Sequence, residues 1–212
     1  MFNGTINIFF LFADEFGPSE RKKRKKDQGN TMADSESLNR FRDLKSDLNR
    51  SFDDERYYMI RFLLFDDLRL CYVTNPDFIG HDLLNALDDK GVISPTNVSI
   101  LLEITKLSEI KKAEDIVIQY MKDNKVQDRS DTKLSSYRKR LFTAMLDIHS
   151  DAFKRIISNY GLRKHNFSNV WDAVLHLEIE AELADDPDKI KSFARHLGQK
   201  ARDILLGNSE KK

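Results

Sequence analysis

Few residues in this sequence could hold special chemistry in place: 212 positions carry one cysteine, one tryptophan, four prolines and eight glycines. The lone thiol, Cys71, excludes an intramolecular disulfide and any zinc site built on several cysteines. Flanked by Leu70, Tyr72 and Val73, it is expected to be a small buried hydrophobe in a reducing compartment. So few glycines and prolines argue against an all-β chain, which needs many tight turns. The five histidines (His81, His149, His165, His176, His196) show no metal-ligand spacing. No glycine-rich loop is present to cradle a phosphate, and Cys71 lacks the local sequence of a caspase nucleophile. No catalytic constellation, metal site or cofactor is therefore expected. The acidic pairs Asp53-Asp54, Asp66-Asp67, Asp88-Asp89 and Asp185-Asp186 fall at helix ends or in loops, where capping and solvation account for them.

Charge of one sign is not in excess either, since 35 basic and 35 acidic residues balance. The balance hides a cluster, Arg21, Lys22, Lys23, Arg24, Lys25 and Lys26. Removing residues 1–31 takes away those six bases and four acids, leaving 29 bases and 31 acids. A strongly basic nucleic-acid-binding face is therefore not indicated. The cluster has the composition of a nuclear import signal or an anionic-surface tether, and equally of a solvated charge run. The apolar stretch Ile6 to Ala13 is too short to span a bilayer, and with its basic residues behind it makes a poor secretory signal. Residues 1–36 are expected to be a disordered leader, and Met32 offers an alternative start.

From Ser37 the apolar residues recur at helical spacing. Leu38, Phe41, Leu44 and Leu48 predict a first amphipathic helix. Ser51 to Glu55 breaks it and offers caps for a second, which carries Tyr58, Met59, Phe62, Leu63 and Phe65. A third, shorter helix occupies Asp66 to Asn75, and Pro76 marks its exit. The fourth runs from about Phe78 to Asp89 with Leu83, Leu84 and Leu87 inward, and Gly91 stops it. Ser94 and Pro95 read as cap and first residue of a fifth helix, and Ile110, Ile116, Val117 and Tyr120 define a sixth. Six short helices in this span must bury their stripes against each other as a bundle.

The joints of this bundle resemble the death effector domain family. Arg61-Phe62-Leu63-Leu64 is similar to the family's second-helix Lys-Phe-Leu segment, and Leu83 to Leu87 to its fourth helix. Lys90-Gly91-Val92-Ile93-Ser94 with Asn97-Val98 resembles the turn that opens helix five. Glu114-Asp115-Ile116 falls where an Arg-x-Asp-Leu motif opens helix six. The resemblance implies homotypic binding to death effector domains of initiator caspases or their adaptors, with Phe62 as a surface anchor. The alternative is that Phe62 fills the core of its own bundle. The family's charge triad is altered: its arginine position is Ala113, with Lys112 adjacent, and its acid position is Arg56, with Glu55 adjacent. Asp115 is kept and is expected to pair with Arg56. Partner binding is thus assigned to Phe62, Arg61, Arg56, Glu55, Asp115 and Lys112.

Residues 134–207 are helical by pattern as well, and Asp186-Pro187-Asp188 introduces one helix. Lys112 to Ile116 echoes in Lys200 to Ile204, and Asn85-Ala86-Leu87 lines up with Asp172-Ala173-Val174. Trp171 reads as a core residue of the second bundle. The expected architecture is all-α: a leader over 1–36, a death effector domain over 37–123, and a second death-fold bundle over 134–207. That second bundle is read as a degenerate death effector domain, as in FLICE-like inhibitory proteins and initiator-caspase prodomains. The alternative is a death domain, the layout of the Fas-associated death domain adaptor, because Asp151 to Ile156 and Tyr160-Gly161-Leu162 resemble a death-domain start. The implied protein is a non-catalytic cytoplasmic adaptor or regulator of apoptotic signalling. It is expected to self-assemble, with no small-molecule substrate, no nucleic acid and no membrane span. A nuclear factor addressed by the basic cluster is the other reading.

Overall fold

The computed structural model describes residues 30–68, 81–129, 134–167 and 169–208, and these are all-α. The basic cluster, Cys71, Pro76 and most of the expected third helix lie outside the described residues. The first half holds α1 (Asn30–Ser51), α2 (Asp54–Leu63), α3 (His81–Asp89), α4 (Ser99–Leu107) and α5 (Lys111–Asp123). The second holds α6 (Ser136–Leu146), α7 (Ser150–Asn159), a 3-10 turn (Leu162–His165), α8 (Val170–Ile179), α9 (Pro187–Ala194) and α10 (Gln199–Leu205).

Capping chemistry sets several of these starts. Asp53 accepts the Arg56 amide at 2.9 Å, Asn169 accepts that of Asp172, and Asp186 accepts those of Asp188 and Lys189 ahead of Pro187. In the first half α1 packs on α3 and α5, and α4 packs on α5. In the second, α10 packs on α6 and α9. The buried apolar residues of both halves form one contiguous cluster.

Three expectations are corrected. The first helix begins at Asn30, not Ser37; no glycine or proline interrupts 30–51. Leu38 is exposed: Arg40 already meets Asn124 beyond the end of α5, and from Ser35 onward Phe41 is the first α1 side chain described as buried. Ser94 and Pro95 do not start a helix. Ser94 and Asn97 exchange backbone hydrogen bonds of 3.0 Å, closing a turn, and helix α4 begins at Ser99 instead.

Candidate functional site: the seam between the halves

Helix α2 is the element that joins the halves, packing on both α6 and α8. Its Ile60 and Leu63 are fully buried, while Phe62 points into the second half. There the Phe62 ring lies 5.2 Å from that of Trp171, edge-on, and 6.4 Å from that of Phe142. Phe142 and Trp171 stack on each other at 5.2 Å. Phe62 is 0% exposed. Burying such a ring contributes about 1.5–3 kcal/mol, and each well-oriented aromatic pair adds about 0.5–1.5 kcal/mol.

A charged network lies beside this ring cluster. The Arg138 guanidinium donates to Glu178 at 2.7 and 3.1 Å and to Asp66, across the seam, at 2.6 Å. It also lies over the faces of Phe62 and Phe65, 4.9 and 5.3 Å from their centroids. The Tyr137 hydroxyl donates to Glu178 at 3.1 Å. The side chains of Arg138 and Glu178 are only 1% and 6% exposed. Burial alone pulls the Arg138 pKa down, but Glu178 and Asp66 outweigh it and hold it above its usual value. Burial pushes the Glu178 carboxyl up against the pull of Arg138, and burial together with that carboxylate holds the Tyr137 proton on. Two more ion pairs cross the seam: Arg61 to Asp172 at 3.1 Å and Lys139 to Glu103 at 2.5 Å. Glu103 also accepts the backbone amide of Leu134.

The sequence-predicted residues divide into two groups. Phe62 and Arg61 sit in the seam, so the Phe62 ring is neither an open surface anchor nor filler for its own half alone. Glu55, Arg56, Lys112 and Asp115 are exposed. The expected pairing of Arg56 with Asp115 is not made; Arg56 is held by its own cap residue, Asp53, at 2.8 Å. Lys112 and Asp115 instead line a groove of about 960 Å³ between α1 and α5, with Arg40, Asp43 and Asp47 opposite. Two acids assigned to capping or solvation act otherwise: Asp66 bridges to Arg138, and Asp88 pairs with Lys45 at 2.6 Å. Trp171 is buried in the seam, beyond the core role expected of it.

No family model matches the chain. No curated protein matches it either. The described residues contain no group of three or more metal-ligating side chains and no helix long and apolar enough to cross a membrane.

The two halves repeat each other in detail. After α3, the Gly91 amide bonds Asp88, and those of Val92 and Ile93 bond Leu87. After α8, the Ala181 amide bonds Glu178, and those of Glu182 and Leu183 bond Leu177 in the same pattern. Gly91 and Ala181 share a left-handed φ, 67° and 58°. This closure pairs Leu83, Leu84 and Leu87 with Ala173, Val174 and Leu177, all buried. The sequence alignment of Asn85-Ala86-Leu87 with Asp172-Ala173-Val174 is therefore three residues out of register. Helices α1 and α6 correspond likewise: Phe41, Leu44 and Leu48 match Leu134, Tyr137 and Leu141, all buried. In that register Lys45 with Asp88 occupies the place of Arg138 with Glu178. The echo of Lys112–Ile116 in Lys200–Ile204 falls on the opening turns of α5 and α10, with Ala113 and Ala201 both buried.

Proposed function

We propose that the chain is a non-catalytic adaptor of apoptotic signalling, built from two death effector domains in tandem, that binds the death effector domains of initiator caspases or of their adaptors. The observation that carries this reading is the repeat: matching core positions, matching helix closures and a matching ion pair in two halves. It favours two like units over a death effector domain followed by a death domain. The four joint motifs of the first half supply the subtype. With Phe62 engaged by the second half, the exposed charges Glu55, Arg56, Lys112 and Asp115 are what remains open to a partner among the residues assigned from sequence. Exposed charges steer encounter and select partners more than they add affinity.

The test is capture of an initiator-caspase prodomain by the full chain, with charge reversals Arg56→Glu and Lys112→Glu beside it. Capture that falls several-fold with either reversal, while helix content is unchanged, supports the reading. A folded wild-type chain that captures no death effector domain overturns it. Scoring caspase activation in the same mixture separates a promoter from an inhibitor. The nuclear reading is carried by Arg21 to Lys26 alone, and comparing the chain with and without residues 1–29 in cells tests it.

A further inference from the structure

The contact between the halves joins unlike faces: α2 of the first half meets α6 and α8 of the second. A heterologous contact of this kind repeats from copy to copy unless the faces that would continue it fail to match. The repeat identifies those faces. The counterpart of α2 is α7, and the counterparts of α6 and α8 are α1 and α3.

Helices α2 and α7 are both ten residues long and close alike. The Leu64 amide meets the carbonyls of Ile60 and Phe62, and the Tyr160 amide meets those of Ile156 and Ser158. Ile60 and Ile156 are both fully buried, which confirms the register. In it, Arg61 and Phe62 are replaced by Ile157 and Ser158, and Asp66 by Leu162. Ser158 is exposed and carries no ring to insert. On the receiving side, the place of Phe142 is taken by Asn49 and the position of Trp171 by His81. Asn49 accepts the Tyr57 hydroxyl at 3.0 Å, and Lys45, standing for Arg138, is held by Asp88 and Asn85 of its own half. At three places of the seam the second half is buried where the first is only half-buried. Arg138 and Phe142 are buried where Lys45 and Asn49 are half-buried, and Glu178 is buried where Asp88 is half-buried.

We infer that this contact is made once within each chain and is not propagated between copies: the chain ends a row of such contacts and does not extend it. The inserting ring and its flanking Arg61 and Asp66 have no counterpart in the second half, and the Phe142 ring has none in the first, while Lys45 and Asp88 keep their ion pair within their own half. The inference rests on the repeat and not on the identity of any caspase partner, so capture of a prodomain and the test below fail independently.

The test is sedimentation of the full chain over a wide concentration range, with two repaired versions beside it. One restores the inserting face (Ile157→Arg with Ser158→Phe), the other the receiving face (Asn49→Phe with His81→Trp). The wild-type chain is expected to sediment as a monomer throughout. Each repaired chain is expected to do so too, while their mixture forms a one-to-one complex. Circular dichroism verifies that both fold; should Asn49→Phe unfold, His81→Trp alone serves as the receiving version and gives weaker association. Wild-type oligomers that dissociate on Ile157→Asp overturn the inference. So do folded repaired chains that fail to associate, because the assigned faces are then wrong.

Discussion

Lys45 with Asp88 and Arg138 with Glu178 occupy the same place in the two halves, yet their surroundings differ. In the first half the side chains are 14% and 37% exposed; in the second they are 1% and 6% exposed. The second pair is dry because α2 lies across it, bringing Phe62 over the guanidinium and Asp66 to its far side. A wet lysine pair is replaceable, since water solvates whichever partner remains. A dry pair is not, because the remaining partner stays buried with its charge uncompensated. Arginine suits the dry place, since one planar fork serves Glu178 and Asp66 together while its face stacks on Phe62 and Phe65.

The largest effect expected from this contrast is on Arg138. Arg138→Ala leaves Glu178 buried with only Tyr137 beside it, and should cost about 3–5 kcal/mol. Lys45→Ala at the matching place should cost about 0–1 kcal/mol. Urea denaturation of both variants measures the difference, and equal losses would show that the seam does not exclude water from its pair. Glu178→Ala should fall between them, because Arg138 keeps Asp66.

Much of this arrangement was legible in the sequence, and what was not has a common cause. Helix existence followed from apolar spacing at Phe41, Leu44 and Leu48 and at Leu83, Leu84 and Leu87, because those residues face their own half. Gly91 as a stop and Asp186-Pro187 as a start were legible because caps act locally. Asp66, Arg138 and Glu178 were missed because their partners lie 72 and 40 positions away in sequence. One signal was available: Arg138 falls on the apolar stripe between Leu134 and Leu141, where an unpaired arginine would be costly. Phe62 was singled out, but periodicity cannot say whether a ring faces its own half, a neighbour or a partner. The register of the repeat was missed at α8 because Ala181 stands where the sequence pattern seeks a glycine.

That alanine allows a second comparison, smaller than the first. Gly91 and Ala181 close α3 and α8 with the same hydrogen bonds and the same left-handed φ. A Cβ on Gly91 would meet nothing within 4 Å, so conformation alone decides its cost. Gly91→Ala should destabilise by about 1–2 kcal/mol, the strain of an L-residue with a Cβ in that region. Ala181→Gly should stabilise by up to about 1 kcal/mol, since relief of strain outweighs the greater freedom given to the unfolded chain. Thermal denaturation of the two single variants should move in opposite directions. Shifts of one sign would mean that the two closures are not equivalent in solution.

The smallest expected effect concerns pH, and it too separates the halves. His176 stands in α8 where Ala86 stands in α3. Its ring lies 4.4 Å from that of His165 and 5.3 Å from that of Phe167. Burial lowers its pKa below the usual 6.5; His165 and Lys164 lower it further, and Glu180 opposes them. The folded state therefore prefers the neutral imidazole. Its contribution is complete above about pH 6.5 and is lost as pH falls through the lowered folded value. His196, lowered by burial and by Arg155 and Arg195, acts with the same sign. Urea midpoints at neutral pH and at about pH 5.5 should fall on acidification for the wild type, and fall less for His176→Leu. If the variant loses as much as the wild type, His176 does not couple protonation to the fold. The acid sensitivity would then belong to His196, just past the end of α9.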